Sequence, residues 1–126
     1  MVKCIMLKPK VGFTVTYHPL EVGAEAAPKL FSEYYERMTA LDLEAIKADE
    51  PIHNLETAVK TGKVFRENQV DVICILLATW SSDELVLDLL EEWSVPVIVW
   101  GLPRIHTGSL CGAQQINCVL KELNKH

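Results

Sequence analysis

Basic clusters, phosphate-binding glycine motifs, paired cysteines and long apolar runs are all missing from this chain, and each absence narrows what it does. Its 12 Lys and Arg are scattered among 17 Asp and Glu, for a net charge of −5. No aromatic–basic ladder forms, which argues against a nucleic-acid partner. There are only 6 glycines, and neither GxGxxG nor GxxxxGK followed by Ser or Thr occurs. A nucleotide or flavin phosphate therefore finds no amide cradle. No stretch reaches the roughly 20 apolar residues of a membrane span. Met1-Val2-Lys3-Cys4-Ile5-Met6-Leu7-Lys8 is too short in apolar residues for a secretory signal. The cysteines, Cys4, Cys74, Cys111 and Cys118, form no CxxC, which argues against zinc and a disulfide scaffold and for reduced thiols in the cytoplasm. On a helix, Cys111 and Cys118 would share a face two turns apart, too far to bridge.

What is present is an alternation of strand and helix signals across 126 residues, the size of one domain with one core. Val70-Asp71-Val72-Ile73-Cys74-Ile75-Leu76-Leu77-Ala78 is nearly continuous in apolar side chains. Such a run fits a strand buried on both faces at the centre of a parallel sheet. Val11 to Tyr17 predicts a first strand, closed by His18-Pro19. Leu41-Asp42-Leu43-Glu44-Ala45 alternates as a half-exposed edge strand does, and Val95 to Trp100 predicts a fourth strand. Between them, Ala27, Leu30, Phe31, Tyr34 and Met38 recur at helical spacing. Leu55, Ala58, Val59, Gly62 and Phe65 make a second helix face behind Asn54, a good N-cap. Val86, Leu89, Leu90 and Trp93 make a third. Ile116, Val119, Leu120 and Leu123 make a fourth.

Parallel pairing needs a helical crossover for each step. An alternating second strand beside continuous third and fourth strands gives spatial order 2-1-3-4. That is the flavodoxin-like, doubly wound α/β sheet in three layers, a single domain over residues 1–126. Ligands of such sheets bind beyond the carboxyl ends of the strands, at the switch point between strands 1 and 3. The loops there are Tyr17-His18-Pro19 and Thr79-Trp80-Ser81-Ser82. The loop Leu102 to Ser109 lies one strand further along.

A phospho-receiver domain of this topology would need an aspartate after the third strand and an acidic pair after the first. Ala78-Thr79-Trp80 and Tyr17-His18 stand there instead. His18 and His106 fall on the ligand side as acid/base or metal candidates, or simply as loop histidines, since no paired carboxylate completes either role. Trp80 offers a flat apolar face and one N–H donor, which suits a sugar packing its C–H surface on the ring. The same residue type also serves cores and subunit interfaces. Trp93 and Trp100 read as packing residues, and His53 and His126 carry no signal. Ser81 with Glu84 has the spacing of a capping box. Asp83, Glu84, Asp88, Glu91 and Glu92 read as a solvated acidic face, with the last two at the helix end that disfavours them.

Two segments resemble the N-terminal domain of the L-fucose/L-arabinose isomerase family. The first is Val70 to Leu90, with its Thr79-Trp80-Ser81-Ser82-Asp83-Glu84 knuckle. The second is Val95 to Leu123, with Pro96-Val97-Ile98-Val99-Trp100-Gly101, Thr107-Gly108-Ser109-Leu110-Cys111-Gly112 and Leu120-Lys121-Glu122-Leu123. The likeness continues more weakly over residues 11–68. It implies a cytoplasmic, Mn2+-dependent aldose–ketose isomerase working as a trimer or hexamer, whose metal ligands lie in later domains. The chain would then be a fragment with no catalytic, metal-binding or cofactor residues of its own, inactive alone. Its sites would be substrate-binding: Trp80 stacking a sugar, often across a subunit boundary, with Tyr17 and His18 as polar contacts. The fucose isomerase branch has an arginine in the first-strand loop where Tyr17 and His18 stand here, so the resemblance carries over no particular sugar. The implied partners are the sugar and either further copies of the chain or the remaining domains of the same enzyme. The rival expectation is a stand-alone flavodoxin-like module that binds a small metabolite or a protein partner, with self-association through the open edge of the fourth strand.

Overall fold

Four β-rich segments lie side by side as parallel strands in the computed structural model, which describes residues 7–103 and 106–125. They are β1 (Lys10–Thr16), β2 (Glu44–Ile46), β3 (Val72–Leu77) and β4 (Val97–Gly101), in spatial order β2-β1-β3-β4. Helices α1 (Ala27–Thr39), α2 (Leu55–Glu67), α3 (Glu84–Glu92) and α4 (Ser109–Glu122) alternate with them. The expected flavodoxin-like, doubly wound arrangement is what the chain adopts. Residues 1–6 with Cys4, Arg104, Ile105 and His126 lie outside the described residues.

The reversal of direction at β1 decides where the helices go. The step from β1 to β2 runs one way and the steps to β3 and β4 the other, and right-handed crossovers then place the helices on opposite faces. Strand residues alternate between those faces. Val11, Phe13, Val15, Cys74, Leu76 and Ala78 meet Ala27, Phe31 and Met38 of α1. Ile73, Ile75 and Leu77 meet Ala58 and Phe65 of α2, Val86, Leu89 and Leu90 of α3, and Ala113, Ile116 and Leu120 of α4. One helix covers one face and three cover the other. β4 is an edge strand. Its Trp100 is met edge-on by Tyr34 of α1 with ring centroids 4.9 Å apart, while Ile98 remains 55% exposed.

Local chemistry sets the element ends. Asn54 accepts the Thr57 N–H at 2.8 Å, and Thr57 Oγ1 accepts the Asn54 N–H at 3.1 Å, a reciprocal cap on α2. Pro28 opens α1, where its missing N–H costs nothing. Trp93 is half-buried against the three-helix core, and its indole N–H donates to the Val70 carbonyl at 2.8 Å.

Several expectations need correction. The edge strand spans 44–46 rather than 41–45, because Leu41 and Leu43 close a turn at the end of α1, with the Leu43 N–H on the Leu41 carbonyl. Its line resumes at Ile52, which bridges Thr16. Leu55 and Leu123 are 60% and 50% exposed: Leu55 is the first residue of α2, and Leu123 lies past the last turn of α4. Glu92 is not merely solvated. It pairs with Arg66 of α2 at 3.0 Å, which offsets its unfavourable place at the end of α3.

At Gly62, α2 lies directly against α3. A Cβ there would fall 2.4 Å from Glu92 Cβ and 3.1 Å from the Leu89 carbonyl oxygen. Alanine would add up to about 1 kcal/mol of helix propensity, but pushing the helices apart costs about 1–3 kcal/mol. Gly62→Ala therefore lowers the urea midpoint, and a raised midpoint would show that the two helices are not held at this spacing.

Burial lifts the Cys74 thiol from its ordinary 9.0 to about 11. The folded state keeps the proton that the unfolded chain sheds above pH 9, so this contribution to stability is whole below pH 9 and declines toward pH 11. Urea titrations at pH 8 and pH 10.5 should show wild type losing more stability than Cys74→Ala. Over the same range Cys111 and Cys118, both exposed, alkylate while native Cys74 does not.

Candidate functional site

The carboxyl ends of β1, β3 and β4 bring three loops together, and hydroxyl groups tie them. The His18 N–H donates to Thr79 Oγ1 at 2.9 Å, and Thr79 Oγ1 donates to the Trp80 carbonyl at 2.7 Å. Ser81 Oγ donates to Thr16 Oγ1 at 3.0 Å with both residues fully buried. Ser109 Oγ donates to the Leu77 carbonyl at 2.6 Å and accepts the Leu102 N–H at 2.8 Å, which locks the start of α4 to the ends of β3 and β4. Trp80 N–H donates to the Thr107 carbonyl at 2.8 Å. Gly108 turns the chain into α4 at φ 72°, and any Cβ there would lie 3.0 Å from Trp80 Cβ.

Ser81 therefore does not cap α3. It is drawn inward to Thr16, and the helix begins from Ser82 and Asp83: Ser82 Oγ accepts the Glu84 N–H at 3.3 Å, and the Asp83 carbonyl accepts from Val86 and Leu87. A capping-box spacing is a local signal, and here a buried hydroxyl partner overrides it. The Ser109 hydroxyl has both a donor and an acceptor bond within the protein.

Over this frame lie the three residues singled out as sugar contacts. Tyr17, His18 and Trp80 are all half-buried. The His18 ring sits 6.2 Å from the Trp80 ring at 45°. His18 Nδ1 accepts the Leu20 N–H at 3.2 Å, so in the neutral ring the proton is on Nε2, which has no partner among the described residues. The indole N–H of Trp80, expected as a ligand donor, is instead given to Gln115 Oε1 at 3.0 Å. Its ring face is what remains to offer.

Two residues of this region escaped the sequence. His53 stands 5.3 Å from Tyr17, brought there because Ile52 extends the outer strand line beside Thr16. Its N–H is held by Thr57 Oγ1 at 3.0 Å, and its Nδ1 is buried with no partner. The carboxyl edge thus carries two ring pairs, His53 with Tyr17 and His18 with Trp80. The other residue is Gln115, the second of two adjacent glutamines on α4, which no pattern marks. His106 is exposed on the loop before α4.

Among the described residues no three His, Cys, Asp or Glu side chains cluster as a metal site, so this donor set does not fit the manganese that the family resemblance implies for a full-length enzyme. A cavity of about 290 Å³ lies elsewhere, between the 48–50 loop and the Thr57, Lys60, Thr61 and Val64 side of α2. None of these four rings lines it. No helix among the described residues is long and apolar enough to cross a membrane.

Ser109→Ala removes a buried hydroxyl and leaves the Leu77 carbonyl and the Leu102 N–H unpaired, a loss of about 1–3 kcal/mol in urea unfolding. An unchanged midpoint would show that α4 does not depend on this clamp. Compared with known proteins, the chain matches no family model and no curated protein.

Proposed function

We propose that the chain is a sugar-contacting and oligomerisation domain of an L-fucose isomerase-like aldose–ketose isomerase, and that it is not catalytic by itself. The observation that carries this reading is Trp80 at the switch point. Its half-buried indole stands beside His18, next in sequence to Tyr17, at the place where the sequence resembles the family's N-terminal domain. A sugar suits these groups. Its C–H surface packs on an aromatic face, and its hydroxyls take the Nε2–H of His18 and the phenol of Tyr17. Among the described residues no lysine or arginine lies over these rings to favour an anion. The partner is a neutral sugar, with further copies of the chain or the remaining domains of one enzyme beside it. A cytoplasmic setting belongs to the same reading.

That chemistry would need a metal ion as Lewis acid and a carboxylate to carry a proton. No metal cluster forms among the described residues, and in this reading Tyr17, His18 and Trp80 bind and orient only. A second reading, a stand-alone module that binds a metabolite or protein, draws on the open apolar edge of β4 with its exposed Ile98. It calls for self-association in solution.

With manganese and an aldose such as L-fucose or L-arabinose, the 126-residue chain should form no ketose. The same sugars should shift the NMR resonances of Tyr17, His18 and Trp80, and Trp80→Ala should abolish the shifts. Turnover by the chain alone, or sugar-induced shifts unaffected by Trp80→Ala, would overturn the proposal.

A further inference from the structure

Trp80 is held from three sides, and the polar hold on its ring comes from far along the chain. Its indole N–H donates to Gln115 Oε1 at 3.0 Å, and Gln115 Nε2 donates to Asp83 Oδ1 at 3.3 Å. The three residues belong to the loop after β3, to α4 and to the residue preceding α3. An amide can give only its nitrogen end to a carboxylate, so Asp83 decides that Gln115 presents its oxygen to the indole. Asp83 is free for this because its side chain makes no cap bond to α3. The backbone side is fixed as well, by the Trp80 N–H on Thr107 and by the close approach of Gly108 to Trp80 Cβ.

We infer that Gln115 is a positioning residue of the carboxyl-edge site: it takes the indole N–H of Trp80 and fixes the ring plane, so that the ligand meets the face of the ring and not its donor. The orientation stands on geometry alone, while its bearing on a ligand rests on the sugar reading above. This narrows the ligand class. A molecule that relies on a hydrogen bond from the indole finds that donor occupied. A sugar recognised by its C–H surface, with polar selection left to His18 and Tyr17, fits.

The test uses the whole 15N-labelled chain. Trp80→Phe identifies which indole resonance belongs to Trp80. Gln115→Leu should move that resonance upfield and speed exchange of its proton about tenfold, the factor that loss of one hydrogen bond commonly brings. The swapped pair Gln115→Glu with Asp83→Asn keeps an acceptor for the indole and a donor beside it, and should restore both values. The indole of Trp93, bonded to Val70, should stay unchanged throughout and report an intact fold. An unmoved Trp80 resonance in Gln115→Leu, or no rescue by the swapped pair, overturns the positioning role.

Aldose titration then separates the two ideas. If wild type shows no sugar-induced shift while Gln115→Leu frees the indole, the sugar reading falls and the positioning role stands. If wild type binds sugar, Gln115→Leu should weaken binding about tenfold. Equal affinity with a freed indole would overturn the role of Gln115 and leave the sugar reading in place.

Discussion

The parallel pairing of β1 with β3 is the constraint from which the other features follow. The six paired positions from Val11↔Val72 to Thr16↔Leu77 join two strands that are not neighbours in sequence. To make that pair, the chain has to leave β1, build β2 on the far side, and return across β1. Right-handed crossovers then leave α1 on one face and the other helices on the opposite face. The loops after β1 and β3 diverge to opposite sides, and a crevice opens between them. Tyr17 and His18 stand on one lip and Trp80 on the other because of that divergence, whatever their own preferences.

Small hydroxyl residues do the joining at this edge. Thr16, Thr79, Ser81 and Ser109 are all fully buried or nearly so, and each has its hydroxyl engaged with a strand end or a neighbouring loop. Buried hydroxyls are costly unless paired, so these bonds hold the loops in one arrangement. Among the described residues the Tyr17 phenol and His18 Nε2, on the larger rings above, take no part in these bonds. Rigid support below and exchangeable contacts above are separated by residue size.

How much of this could be read from the sequence varied with the range of the forces involved. The run from Val70 to Ala78 announced a two-faced strand, and the tertiary position of Trp80 followed from it. The Asn54 cap was legible because the bond it makes is three residues long. The edge strand was displaced because Leu41 and Leu43 closed a helix end instead of joining the sheet, a choice set by only three pairing positions with β1. Ser81 misled because a capping spacing says nothing about a threonine 65 residues away. His53 and Gln115 were silent for the same reason: each acquires its neighbour through pairings that no window of sequence contains.

The same long-range pairing governs how the chain is made. Val11 finds its sheet partner in Val72, and His18 finds Thr79 across a separation of 61 residues. During synthesis from the N-terminus, β1 emerges with its apolar residues and waits through α1, β2 and α2 before β3 exists to receive it. Contacts this distant form slowly and leave strand edges uncovered meanwhile. Until then α1 and β2 can pack on β1 from one face and one edge, and the other edge, at the centre of the finished sheet, stays open.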